Sequence, residues 1–335
     1  MGIYSHAKSH SIVYCTDMQS TLLNFSTQLK WQPAVEGGTL PSAKQFVLCG
    51  MGGSALAGGL LTVCDPTIPL VVHRDYGLPI VSADDFGSTL IIVASFSGQT
   101  EETLDAYDQA RETGASLIAI TAGSELLARA RRDSVPHIIL PDTTIQPRLA
   151  VGYFLKVLTL ITEAKGISDE LESLVPTLDL TKLEIDAQAL VKNLAGRIPL
   201  FYSSNRHGAL AYFWKIMMNE TAKIPAFSNV VPEQNHNELA GFGEDSPANL
   251  FTAVILKSED DHPRVVKRFA LLTEILPPLN VPVKRISLEG LTPTARVVNS
   301  LLLAGFTALA LAEARGVDPD SVPVIEDFKR KLKIT

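Results

Sequence analysis

Two short stretches of this chain gather glycine and small hydroxyl residues at points where a strand pattern gives way to a helix pattern. The first, GMGGSALAGG (50–59), follows the apolar run KQFVLC (44–49). The second, SFSGQTEET (95–103), follows TLIIVA (89–94) and leads into EETLDAYDQARET, which ends at Gly114. Such junctions leave free backbone N–H groups at the positive end of a helix, a setting that suits an anion. Gly53 and Ser54 in the first loop, with Ser95, Ser97 and Thr100 in the second, are the candidate ligands of a phosphate monoester. Its exposed oxygens can accept hydrogen bonds from several hydroxyls and amides at once. For a single loop a plainer reading is available, because serine and threonine at strand ends commonly cap helices. The first loop also fits a loose dinucleotide fingerprint, Gly50-x-Gly52-x-x-Ala55 with Asp75 beyond it. Nothing downstream supplies a hydride-transfer site, and two loops of one design favour the monoester.

Four further residues could act on such a ligand. On the helix pattern 207–223, Phe213, Ile216 and Met217 recur at helical spacing, and Glu220 falls on the same stripe. A carboxylate there is costly to bury without a partner, and it suits either a general base or an ion pair between domains. His236 lies in VVPEQNHNELAGF, sixteen residues on, within a long stretch of weak periodicity of a kind more often functional than idle, although a loop histidine by itself is more often a surface residue than a catalyst. Arg148, in IQPRLAVGYF, opens an apolar helix pattern just after the fifth expected strand; its plainer reading is a salt bridge independent of any phosphate. Lys329 adjoins the stripe Val322, Ile325, Phe328 near the C-terminus, whereas Arg330, Lys331 and Lys333 read as a solvated basic face that complements a helix dipole.

The elements that must position these residues alternate regularly. After a helix at about 15–30, strands are expected at 44–49, 68–73, 89–94, 115–121 and 136–140, with helices between most of them. A long helix from Pro147 to Gly166 closes this unit. The pattern resumes with a helix at 184–196, a strand at 198–204, the helix 207–223, a strand at 250–256, a helix at 263–275, a strand at 281–288 and a last long helix to about 315. Short, wholly apolar strands separated by helices imply parallel sheets covered on both faces, an α/β fold whose ligands sit beyond the strand C-termini. The expected division is residues 1–166, a linker at 167–183, and residues 184–335. The chain has 335 residues, 46% of them apolar, and a net charge of −7, which argues against a nucleic-acid surface. Cys15, Cys49 and Cys64 form no CxxC pair, so neither a disulfide framework nor a cysteine metal site is expected. The start lacks a signal-peptide core, and SLLLAGFTALALAEA (300–314) is short for a bilayer and carries Glu313. A cytoplasmic protein without membrane contact is the expectation.

GMGGSALAGG and SFSGQTEET resemble the signature loops of the sugar isomerase (SIS) domain. NRHGALAYFWKIMMNETAKIPAFSNVVPEQNHNELAGF (205–242) is similar to the bifunctional phosphoglucose/phosphomannose isomerases, which carry two SIS domains in a chain of about this length. The resemblance covers nearly the whole sequence. It implies two SIS-type αβα domains, hexose 6-phosphate substrates and no metal or redox cofactor. By resemblance, Glu220 shuttles a proton between C2 and C1 through a cis-enediolate and Arg148 stabilises that intermediate. His236 and Lys329 open the sugar ring, His236 reaching into the active site of the neighbouring subunit of a homodimer. The family's threonine about two turns before the lysine has no clear counterpart, since Ser321 and Val322 occupy that region. Three rivals stand beside this reading. A non-catalytic sugar-phosphate-binding regulator would normally carry a helix-turn-helix, an amidotransferase synthase would need a separate domain with an N-terminal cysteine, and an arabinose phosphate isomerase matches 205–242 less well.

Overall fold

The structure, a computed structural model, describes residues 18–80, 87–141, 145–243 and 246–332; Cys15 lies outside them. The described strands form two parallel sheets. In the first, β1 (Gln45–Gly50), β2 (Leu70–His73), β3 (Thr89–Ser95), β4 (Ser116–Thr121) and β5 (His137–Ile139) take the order β2-β1-β3-β4-β5. In the second, β6 (Ile198–Ser204), β7 (Phe227–Val231), β8 (Phe251–Lys257) and β9 (Val283–Ser287) take the order β7-β6-β8-β9. Strand order reverses between β1 and β3 and again between β6 and β8, the points at which open sheets of this kind form a crevice beyond the strand ends.

Alternation along the strands sorts the core into three bodies. Leu48, Leu90 and Ile92 face inward from the first sheet, as do Phe201, Val254 and Leu256 from the second, and all join one apolar cluster. Between the two inner faces lie the helices Gly52–Cys64, Val151–Ile161, Leu180–Leu194, Gly208–Glu220 and Pro293–Arg315. Val47, Cys49, Ile91 and Val93 face outward and are covered by the helices Glu101–Thr113 and Ser124–Arg132 through Tyr107, Ala110, Leu126 and Ala130. Leu200, Tyr202, Ala253 and Ile255 are covered by the helix Pro263–Ile275 through Phe269 and Leu272. The result is an α/β/α/β/α stack with one helical layer common to both halves. Of the inner helices, Gly52–Cys64, Val151–Ile161 and Pro293–Arg315 are buried on almost every side, whereas Leu180–Leu194 buries only one stripe, Leu183, Ala187, Leu190 and Leu194. Burial pushes the Cys49 and Cys64 thiols up to about 12, which makes both poor nucleophiles.

Several boundaries differ from expectation. The helix expected over 147–166 is instead a 3₁₀ turn, Pro147–Leu149, then Val151–Ile161, then a separate helix Lys165–Ser173; Glu163 takes a left-handed φ of 56° at the break, and Gly166 lies inside the next helix. The N-terminal helix is likewise split, into Met18–Leu23 and Ser26–Lys30. The stretch 167–183, expected as a linker, is largely helical, with Leu171 fully buried in the inner core. The long connection after Glu220 contains β7, paired in parallel with β6, and the short helix Gln234–Asn237. The last long helix, Pro293–Arg315, exceeds the apolar run read from the sequence and is by length and composition long enough to cross a membrane. It is mostly buried within this fold, packed in the inner layer, where Trp214 Nε1 donates to Ser300 Oγ at 3.0 Å.

The turn after β3 has no room for a larger residue at Gly98. Its φ is 66°, and an added Cβ would lie 1.9 Å from the Gly123 carbonyl oxygen. Gly98→Ala is therefore expected to cost about 2–4 kcal/mol through combined strain and overpacking. Urea unfolding followed by far-UV circular dichroism measures it.

Candidate active site

The first crevice is assembled by close approach of backbone. At Gly50 an added Cβ would lie 2.7 Å from the Ala94 carbonyl oxygen, so β1 and β3 meet tightly where both loops begin. Gly52, at φ 49°, turns the chain into the helix Gly52–Cys64. At Gly53 the obstacle to a side chain is the Pro147 carbonyl oxygen, 2.6 Å away, with the Arg148 Cα at 3.1 Å. The N-terminus of this helix thus abuts the turn that carries Arg148.

The hydroxyls divide into buried ties and a more open rim. Ser54 is buried, and its Oγ accepts from the Phe96 N–H at 3.1 Å, which locks the first loop onto the second. Ser95 is buried as well; its Oγ lies 2.8 Å from Thr100 Oγ1 and accepts from the Gly98 N–H at 3.1 Å. Ser97 is exposed, and Thr100 is half-buried at the N-cap of the helix Glu101–Thr113, whose first N–H groups have no side-chain cap there. Buried hydroxyls tie the turns together, while Ser97, whose Oγ accepts from the Gln99 N–H at 3.3 Å, and Thr100 stand at the more open rim beside the helix N-terminus.

Arg148 is 2% exposed on its 3₁₀ turn, and its donors are shared among three segments. Nε donates to Thr221 Oγ1 at 3.1 Å, Nη1 to Gln146 Oε1 at 3.3 Å, and Nη2 to the carbonyl oxygens of Pro319 at 2.6 Å and Asp320 at 3.3 Å. Nη1 also lies 3.6 Å from Glu220 Oε2. Burial lowers the Arg148 pKa, while Glu220, Asp320 and Asp318 oppose the shift; a guanidinium starts so high that it remains charged. Gln28 fixes the turn from below. Its Nε2 donates to the Leu149 carbonyl at 2.8 Å and its Oε1 accepts from the Gly152 N–H at 3.0 Å.

Glu220 is the last residue of the helix Gly208–Glu220, at the border of the buried stripe with its side chain 28% exposed. The helix ends with the Ile224 N–H bonded to the Met218 carbonyl and Lys223 in a left-handed conformation, φ 56°, a place usually filled by glycine. That unusual turn brings Lys223 Nζ to the Glu220 carbonyl and, at 2.6 Å, to the Ser321 carbonyl. Burial first, and Arg148 next, lower the Lys223 pKa. Gln146, Thr221, Lys223 and the segment 318–321 were not expected from sequence, since no periodicity marks a left-handed lysine or a loop that supplies carbonyl oxygens.

A family model described as the bacterial phospho-glucose isomerase C-terminal SIS domain matches residues 183–332. A bifunctional phosphoglucose/phosphomannose isomerase of Caldicellulosiruptor bescii is 36% identical over 310 residues, 86% of this chain and 89% of the relative. Another, of Aquifex aeolicus, is 33% identical over 316 residues, 92% of this chain and 96% of the relative. The chain belongs to the bifunctional phosphoglucose/phosphomannose isomerase family. It is an isomerase with two SIS-type sheets, and its fold is shared with a glucose-6-phosphate isomerase like protein of Thermus thermophilus at TM-score 0.61 and 19% identity, over 95% of this chain and 96% of that one.

Within the single chain, the structure joins Gly53, Ser54, Ser95, Ser97 and Thr100 at one edge and links them through Arg148 to Glu220. His236 and Lys329 stand outside that network. His236 is exposed on the helix Gln234–Asn237, whose surroundings are held by Asn229 Nδ2 on Glu238 Oε2 at 2.8 Å and Arg268 Nη1 on Asn235 Oδ1 at 3.2 Å. Lys329 is exposed on the helix Pro323–Leu332, which buries none of its residues and leaves Val324 and Phe328 open.

The loop that feeds Arg148 its carbonyl oxygens is held by Asp318, whose carboxylate accepts from the Asp320 N–H at 2.9 Å. Hydrogen bonds from Ser321 and from the Asp320 N–H hold the Asp318 carboxyl below its ordinary value. A carboxylate lowered on folding contributes stability that is complete above the unfolded pKa, about 3.9, and is lost as pH falls through the folded value. Asp318→Asn is therefore expected to flatten the acid limb of a melting-temperature profile below about pH 4. Differential scanning calorimetry across that range tests this.

Proposed function

We propose that this chain interconverts glucose 6-phosphate and mannose 6-phosphate with fructose 6-phosphate, using Glu220 as the base. The observation that carries the reading is the position of Arg148. Its backbone abuts Gly53 of the phosphate loop, while its guanidinium lies 3.6 Å from the Glu220 carboxylate. A sugar phosphate anchored at the hydroxyl rim and helix N-termini would extend its first carbons toward this pair. The relatives' names, the paired serine turns and a partly open carboxylate support the same chemistry.

In this mechanism the phosphate fixes the sugar, and His236 and Lys329 open the ring by proton transfer to expose the carbonyl. Glu220 removes the proton from C2 and returns it at C1, with a cis-enediolate between. Glucose and mannose phosphates differ only at C2, so one planar intermediate serves both. Arg148 neutralises the enediolate oxygens; held by Gln146, Thr221 and two carbonyl groups, it needs little reorganisation as charge develops. Because His236 stands apart from Glu220's network in one chain, the working unit of this proposal is a homodimer with His236 supplied by the neighbouring subunit.

General base catalysis typically contributes about 10²–10⁴ in rate. Glu220→Gln should lower kcat by at least that range while sugar-phosphate binding, followed by calorimetry, persists. The assay couples fructose 6-phosphate conversion to glucose 6-phosphate detection in the presence of a chelator. Wild-type turnover in the variant would remove Glu220 from the role, and binding without turnover in the wild type would mark a sensor instead.

A further inference from the structure

The second sheet repeats the architecture of the first crevice. Its order reverses between β6 and β8, as the first reverses between β1 and β3. The helix Gly208–Glu220 follows β6 as Gly52–Cys64 follows β1. Arg296, 5% exposed, sits in the first turn of the helix that follows β9, as Arg148 sits in the turn that follows β5. The correspondence extends across the halves. Just as the C-terminal end of Gly208–Glu220 brings Glu220 to the first crevice, the C-terminal end of Gly52–Cys64 brings Cys64 to Thr294 and Asp65 into the field of Arg206. The helix Gly208–Glu220 separates the two places by roughly 18 Å.

What differs is the loop after the second strand of each pair. Where Ser95 ends β3 and Ser97 and Thr100 follow it, the chain after β8 reads Ser258, Glu259, Asp260, Asp261. The Asp260 carboxylate lies 3.3 Å from Arg206 Nε, 3.4 Å from Arg296 Nη1 and 3.5 Å from His207 Nε2, and it accepts from Ser258 Oγ. Asp261 accepts from the Ser258 N–H at 2.7 Å and lies 3.2 Å from His207 Nδ1, which is also 2.9 Å from Ser204 Oγ. Arg296 also pairs with Glu259 and donates to the Gly290 carbonyl. Burial alone would raise the Asp260 carboxyl, but Ser258, His207, Arg206 and Arg296 outweigh it and hold it below the usual carboxylate range. Two guanidinium groups, an imidazole and a hydroxyl thus converge on one internal anion, at the point of the fold where the first half has its hydroxyl rim.

We propose that the β6–β8 crevice is a duplicate anion site kept closed by its own chain, with the Asp260 carboxylate in the position a phosphate group would occupy. The duplicated fold then offers one open sugar-phosphate crevice per chain rather than two. Removing the internal anion should uncover a site for inorganic phosphate.

Calorimetric titration with inorganic phosphate counts sites in the wild type and in Asp260→Ser. The variant should bind one more phosphate per chain than the wild type, and adding Arg206→Ala should abolish that extra site. An unchanged count in folded Asp260→Ser, or an extra site that survives Arg206→Ala, overturns the proposal. Asp260→Asn guards against misfolding because it keeps the side-chain shape. At constant ionic strength, phosphate should raise its melting temperature by several degrees more than that of the wild type. Equal shifts also overturn the proposal. Since both readings are increments over the wild type, a wild-type count of zero would count against the phosphate reading of the first crevice and leave this one standing.

Discussion

A buried guanidinium must find partners for all its N–H groups or leave the interior. At Arg148 those partners come from the turn that carries it, from Thr221 after an inner helix, and from two carbonyl groups near the end of the chain. Removing any one would leave a hydrogen bond to a buried charge unmade, a loss that typically costs about 1.5–3 kcal/mol. This demand holds the three segments together, and Glu220 is positioned as a consequence of it. The charge that would steady a reacting oxygen is also the fastener of the site.

The common helical layer explains how residues so far apart in sequence meet. Helices that follow corresponding strands in the two halves place the start of one near the end of the other: Gly53 and Glu220 flank Arg148, while Asp65 and Arg206 sit at the opposite pole. An electropositive helix start and a carboxylate at a helix end are thereby offered to the same space. Neither half alone contains both.

The sequence made much of this legible. Apolar strands between amphipathic helices implied two parallel sheets because burial on both faces leaves a continuous hydrophobic run, and the serine loops stood out where that run stopped. β7 was missed because its five residues, Phe227–Val231, are mostly half-exposed at a sheet edge and carry Ser228 and Asn229, which blur the apolar signal. The break at Glu163 was missed because a left-handed glutamate has no compositional mark. At the site, residue types were visible while their division of labour was not. Ser54 and Ser95 look like ligands in sequence, yet their buried hydroxyls tie the turns together, and burial distinguishes them from the exposed Ser97.

The grip of Gln28 on the Arg148 turn sets where the functional unit begins. Its amide holds the Leu149 carbonyl and the Gly152 N–H from more than a hundred positions upstream. A chain cut back to the first strand would retain every signature loop and still lose the brace beneath its central cation. The short helices ahead of the sheet, which carry none of the proposed site residues, are in that sense part of the frame that the proposed site rests on.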